Sequence, residues 1–431
     1  MKTVQSKKSE LKKPIRILRA FRSKNYRLYF VGQGISMIGT WMTLLATSWV
    51  VYELTESALV LGVVGFLSQI PTFFLAPFAG VLVDRWSRHH ILIITQILSM
   101  IQSLILALLA LTNTINIWHI IFLNILQGLV NVVNMPTSQA FVNEIVEEQE
   151  DLGNAIALNS SMMSSARLIG PAIAGFLIAS VGAGACFLID GISYIAVIIS
   201  LLAIKLTPKE RVVQTTPVWQ RLKEGFFYSF GFPPFRAILL MLALLGFMGL
   251  PYTILSPIFA KEILHGGSET LGFLMAASAM GAFIASVYLS SRSTVVGLEK
   301  AVALAPALLG SGFIVFSLSR TLWFSLLAMV VIGFSVVFQL ASSNTVLQTI
   351  VDEDKRGRLM SFCSMAFMGM VPFGNLFSGW LASKIGAPNT LMINGIFCIL
   401  GSLIFIKQLK LLTRLIRPIY VKLGLVPNLN T

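Results

Sequence analysis

The chain has 431 residues, 56% of them hydrophobic and only 12% charged, with a formal net charge of +14. So little charge excludes an ordinary water-soluble domain, in which about a quarter of residues are charged. The basic residues stand in short segments between apolar runs, so their excess reads as membrane topology and not as a nucleic-acid surface.

The amino-terminal segment to Arg27 is polar and Lys-rich. The apolar run after it is longer than a signal-peptide core and no small-residue cleavage site follows, so it is expected to persist as a cytoplasmic tail. Runs of at least about 17 residues, long enough to cross a bilayer, begin near Leu28, Ala58, Ile91, Ile117, Ala155, Ala185, Ala237, Leu271, Ala301, Leu322, Leu359 and Thr390. They predict an all-α membrane protein of twelve transmembrane helices. Its expected parts are a basic tail at 1–27, a six-helix bundle at 28–204, a connector at 205–236, a second bundle at 237–406 and a basic tail at 407–431. Sorted by alternate loops, 28 of the 32 Lys and Arg residues fall on one side, Lys261, Arg320 and Lys384 on the other, and Arg167 inside a span. By the positive-inside rule both termini are cytoplasmic.

In the first span Gln33, Ser36, Thr40, Thr43 and Thr47 recur at steps of three and four, one continuous polar stripe. Glu53 closes that span on the extracytoplasmic side as a candidate carrier of a coupling proton. The second span ends in Gly80-Val-Leu-Val-Asp84-Arg85-Trp-Ser-Arg88, where an apolar run meets a short basic loop. Gly80 admits a neighbouring helix, and Asp84, one turn later on the same face, can meet the positive N-terminal end of that helix. Arg85 and Arg88 pair with acids or hold the loop at the headgroups. The stretch reads as a cytoplasmic latch; alternatively, Asp84 and Arg85 only cap and orient the loop. In the fourth span Asn124, Gln127, Asn131, Asn134 and Ser138 repeat the spacing of the first. Two such uncharged stripes either wet a cavity or join helices by hydrogen bonds.

The fifth and sixth spans each carry a charge, Arg167 and Asp190. At 1.5 Å rise per residue, Arg167 lies about 21 Å and Asp190 about 8 Å from the turn between them, so a direct pair is not expected. Arg167 needs amides, carbonyls, another acid or an anionic substrate. Asp190 reads as a hydrated helix-end residue or, if burial holds its proton, as a coupling group. Gly170-Pro171 and Gly175 supply a bend and a small-residue face, candidates for gating. In the connector Trp219, Leu222, Phe226 and Phe230 recur at helical spacing, an amphipathic helix expected in the interface.

The chain then repeats itself. Leu61-Gly62 answers Leu271-Gly272 and Gly39 answers Gly249, each 210 residues apart, while Gly128 to Ser138 resembles Gly333 to Ser343, 205 apart. A parallel repeat of two six-helix halves puts a substrate site between them near the midplane. At the 210-residue offset the position of Asp84 is Thr294, so the second half lacks the latch carboxylate. Tyr252 and Ser256 in the seventh span, with Ser335, Gln339 and Ser342 in the tenth, predict a thinner, more aromatic wall. Glu262 is a further coupling candidate. Cys186, Cys363 and Cys398 lie inside apolar runs, against a disulfide framework. No Gly-Lys dipeptide supports a P-loop, and His89, His90, His119 and His265 offer no HExxH spacing, so neither enzyme, metal nor cofactor is expected.

Gly80 to Arg88 resembles the signature loop of the major facilitator superfamily, and the Gly170-Pro171 stretch resembles the antiporter motif of its drug exporters. Gly39-Thr-Trp-Met42, Leu54-Thr-Glu-Ser57, Ala155 to Asn159 and Ala166-Arg-Leu-Ile-Gly-Pro171 are similar to the branch containing the bacterial enterobactin exporter and macrolide efflux pumps. Ser87 stands where that loop has a glycine and His89 where it has a basic residue. Gly175 comes one position late, Thr40 replaces a frequent acid, and Asp190 a frequent amide. The resemblance implies a monomeric secondary transporter of the bacterial inner membrane, contacting membrane lipids and binding a small molecule and protons. It would export a siderophore, macrolide or other amphipathic drug. A lysophospholipid flippase, or a non-transporting sensor or scaffold, are the alternatives.

Overall fold

The computed structural model describes residues 19–204, 218–292 and 294–427, without the side chains of 76–85, 149 and 218–222. Each apolar run of the sequence is helical. The spans are Lys24–Thr55, Ala58–Arg85, Arg88–Leu111, Ile117–Ile145, Gln149–Val181, Ala183–Ala203, Pro233–Ile263, Ser268–Ser290, Leu298–Leu318, Leu322–Ile350, Glu353–Ile385 and Ala387–Lys422, called here first to twelfth.

Local chemistry sets the ends. Ser23 caps the first span by accepting from the Tyr26 amide at 3.3 Å, and Asn116 caps the fourth from His119 at 3.1 Å. Side-chain caps satisfy amides that the first helical turn leaves unpaired. The turns after the fifth and eleventh spans use Gly182 and Gly386 at φ 88° and 85°, a backbone region that favours glycine. The seventh span is interrupted by π-turns at Leu245–Gly249 and Phe259–Ile263, and the eleventh breaks between Met368 and Val371. The two breaks face each other: a side chain at Gly374 would run into the Phe247 backbone, and one at Gly246 into Phe367.

Three boundaries differ from the sequence expectation. The segment before the first span is partly folded: Arg19 pairs with Asp151 at 2.9 Å, Ser23 donates to the Ile145 carbonyl at 2.9 Å, and Tyr26 to that of Ala155 at 2.9 Å. The seventh span starts at Pro233, directly after the connector helix Val218–Gly231. The twelfth does not stop at Ile406 but continues to Lys422, because Leu412, Ile416 and Tyr420, at steps of four, stay buried on the second bundle. Residues 1–18, 205–217, 293 and 428–431, which include most of the expected amino-terminal tail and the first part of the connector, lie outside the described residues.

The first six spans pack among themselves, as do the last six, and the halves meet chiefly through the fifth with the eighth and the second with the eleventh. The apolar core divides unevenly. Around Leu45, Leu61, Phe187, Tyr252, Phe259 and Leu271, at the end away from the termini, it is one body shared by both halves. At the end bearing the termini it is two, one around Tyr29, Leu92 and Phe141 and one around Leu242, Val302 and Leu359. The halves are therefore joined at the far end and have separate cores at the near end.

Candidate transport pathway

The far-end junction is built from glycine. A Cβ on Gly175 of the fifth span would lie 3.0 Å from Gly272 Cα of the eighth, and one on Gly62 of the second would lie 2.9 Å from Gly379 Cα of the eleventh. With hydrogen in place of a side chain, the helices approach to backbone contact. Ser268 Oγ ties this seam by donating to the Gly175 carbonyl at 3.0 Å. Gly62 and Gly272 are the repeat pair of the sequence, so one element of the repeat forms both seams. Between them the first and seventh spans are latched. Tyr52 donates to Glu262, Lys261 Nζ pairs with Glu56 at 2.9 Å, and the same ammonium stands 5.6 Å from the Tyr52 ring centre. Glu53 is exposed beside this latch.

The expected latch at the near end cannot be followed to its side chains, because Gly80, Asp84 and Arg85 fall among the undescribed ones. Arg88 is described and pairs with Glu144 of the fourth span at 2.8 Å, within the first half. Gly170 packs inside that half, where a Cβ would lie 2.6 Å from that of Trp41 on the first span, while Gly175 packs between halves. Pro171 stands between them with its carbonyl against Gly272. The Gly-Pro motif thus joins an internal contact to the inter-half seam.

Polar side chains of the first half form a ladder of hydrogen bonds. Asn134 Oδ1 accepts from Thr95 at 3.1 Å and Gln96 at 3.3 Å, and Gln127 donates to Ser99 at 3.1 Å and to Asn131 at 3.2 Å. Higher up, Ser103 donates to Asp190 Oδ2 at 2.7 Å and to Gln102 at 3.3 Å, while the Thr40 and Tyr194 hydroxyls lie 3.4 Å apart. Thr40 and Asn131 are exposed, Gln33, Thr43, Asn124, Gln127 and Asn134 are partly so, and Ser36 is buried. Thr95, Gln96, Ser99, Gln102 and Ser103 were not singled out in the sequence, although they recur at the same steps on the third span.

Asp190 corrects one expectation. It is 1% exposed, not a hydrated helix end, because its Oδ1 lies against Gly39 where a Cβ would stand 2.8 Å away. That oxygen and the Thr43 hydroxyl are both buried without completing a hydrogen bond. In the second half Tyr252 and Gln339 are each 1% exposed and Ser256, Ser335 and Ser342 are fully buried, so they face the interior of their own bundle and not an open wall. Tyr252 bonds to Ser278 at 2.7 Å there, whereas neither amide atom of Gln339 has a partner. Arg167, half-buried at mid-helix, stands 5.6 Å over the Trp41 ring.

On the connector helix Phe226 stacks on Phe230 at 4.7 Å and meets Phe362 of the eleventh span at 6.2 Å. Trp219 and Leu222 are among the undescribed side chains. Asp352, in the loop before the eleventh span, accepts from Tyr228 of this helix at 3.2 Å and pairs with Lys355 at 3.2 Å. Lys355 and then Tyr228 hold its carboxyl below the ordinary carboxylate range. No group of metal-ligating side chains occurs among the described residues.

A family model described as "Transmembrane secretion effector" matches residues 16–413. The staphyloferrin A transporter of Staphylococcus aureus is 27% identical over 88% of this chain and 95% of its own length. Macrolide efflux protein A of Streptococcus pyogenes is 22% identical over 87% and 95%, and the multidrug efflux pump Tap of Mycolicibacterium fortuitum 22% over 82% and 88%. Among solved structures, a bacterial homologue of the human lysosomal transporter Spinster, inward-facing and unoccupied, superposes with a TM-score of 0.70 at 16% identity, covering 91% of this chain and 98% of that one.

Proposed function

The chain belongs to the transmembrane secretion effectors, a family of major facilitator transporters, and from that premise we propose that it exports a small amphipathic compound in exchange for protons. With the termini in the cytoplasm, as the positive-inside rule requires, the far end is extracytoplasmic and the arrangement is inward-facing. Export then alternates between this form and one in which the glycine seams and the Tyr52–Glu262 latch part while the near end closes. Siderophores and macrolides are the favoured cargo classes, by analogy with the names of the relatives.

The observation that carries proton coupling is Asp190, a carboxyl bonded to Ser103, sealed from water yet one helical step behind the exposed Thr40 through Tyr194. A proton arriving from the extracytoplasmic side discharges it, and its loss to the cytoplasm resets the bundle; a charge cycle at a buried carboxyl is how such pumps couple. Glu262, exposed in the latch, meets the proton first, and Glu53 lies beside it.

The test is purified protein in liposomes under an imposed pH gradient, screened against siderophores, macrolides and lysolipids. Accumulation of one class that collapses with the gradient is the expected result. Equal movement with and without the gradient would remove proton coupling, and lysolipid movement alone would favour the flippase reading.

A further inference from the structure

We propose that Arg167 is the anion-recognition point of the pathway, so that the compound carried is an amphipathic carboxylic acid, its carboxylate on the guanidinium and its apolar body against Trp41. This rests on the transport reading above and names its substrate class. At 1.5 Å per residue Arg167 lies about 27 Å from one end of the fifth span and about 21 Å from the other, too deep for its side chain to reach either interface. A cation at that depth is retained against a high cost and belongs with a counter-charge or a substrate.

No counter-charge is at hand. Among the described residues Arg167 makes neither ion pair nor hydrogen bond, and its one marked contact is the Trp41 ring. The acids of neighbouring elements are placed elsewhere. Glu150 and Asp151, at the near end of its own helix, hold Arg19. Glu56 of the first span pairs with Lys261, and Glu53 stands exposed at the same far end. Glu269 of the eighth accepts from the Gly267 amide at 3.0 Å. Asp190 of the sixth lies behind the first span against Gly39.

Position makes this cation a handle and not a stray charge. Pro171 and Gly175 follow it at steps of four on one helix face, and both touch the eighth span of the other half. Arg167 is therefore one turn below the contact of Pro171 with the eighth span, towards the end at which the two cores separate. Its planar, permanently charged fork suits a carboxylate, and an indole beside it suits an apolar or aromatic body.

Dansylglycine and its methyl ester differ only in the carboxylate, and their binding to the full-length protein is read from dansyl fluorescence excited through tryptophan. Wild type is expected to favour the acid by at least about tenfold, equivalent to about 1.4 kcal/mol. Arg167→Gln should bring the ratio within about twofold while Arg167→Lys keeps most of it, since point charge survives and only fork geometry is lost. Equal affinity of the two compounds for wild type, or a preference that survives in Arg167→Gln, would overturn the inference, and the first of these needs no variant to fold. Ester transport without acid preference would sink this inference and leave the transport reading standing; acid-selective binding with no transport of either compound would do the reverse.

Discussion

Asp190 is kept inside the first bundle by the Ser103 hydroxyl and by a glycine that leaves room for its second oxygen. If it carries the proton, Asp190→Asn should lower gradient-driven transport about tenfold or more while leaving substrate binding intact, as measured in paired flux and binding assays. Unchanged flux in that variant would remove Asp190 from the mechanism. Ser103→Ala strips the donor and leaves a buried acceptor unpaired, an expected loss of about 1–3 kcal/mol in unfolding measured in detergent at neutral pH. Residue identity here was legible in the sequence, but surroundings were not. Steps of three and four say that Gln339, Ser342 and Ser335 share a face, and not whether that face meets water or its own bundle. They proved buried, as did Tyr252 and Asp190. Tyr52 and Glu262 touch across 210 residues of chain, a pairing no local pattern announces.

At the scale of elements, the glycine seams hold the far end shut. Gly175→Leu should wedge the fifth span off the eighth and shift the protein toward the state open at that end. The expected readout is a several-fold rise in labelling of a cysteine at Thr47 by an impermeant thiol reagent added from outside; no change would show that the seam is not the barrier. The connector helix is held at the near end partly by Asp352. Because Lys355 and Tyr228 depress its folded-state carboxyl below the ordinary value, this link is present above the ordinary range and fades as pH falls below about 4. The contribution is small, because solvent screens so exposed a pair. Protection of the backbone amides across 218–231, taken relative to intrinsic exchange at each pH, should therefore fall modestly on acidification, and Asp352→Asn should show the lower protection at every pH. The helices themselves were readable because length and hydropathy suffice for a membrane span. The third span's polar ladder was equally periodic yet passed over, since its Thr, Ser and Gln residues are interleaved with Ile and Leu. The twelfth helix outran its expected end because burial of Leu412, Ile416 and Tyr420 against the second bundle outweighs the basic residues around them.

For the whole molecule, the internal repeat supplies the logic of the closure. The Gly62 and Gly272 pair read from the sequence forms the two seams. Gly128 and Gly333 likewise pack on the equivalent Ser68 and Ser278 backbones of the second and eighth spans. A pseudo-symmetric junction at one end, with the cores divided at the other, is the geometry of two bodies that rock about a site between them. The sequence could announce the two halves, but which end is shut depends on contacts between them. The most direct test is electron–electron distance measurement between spin labels, with one pair at Leu54 and His265 across the far end and one at Trp86 and Arg292 across the near end, at pH 8 and pH 5. Alternating access predicts two populations at each end whose weights move in opposition, the far pair lengthening as the near pair shortens. Distances that stay fixed at both ends, or that lengthen together, would contradict it.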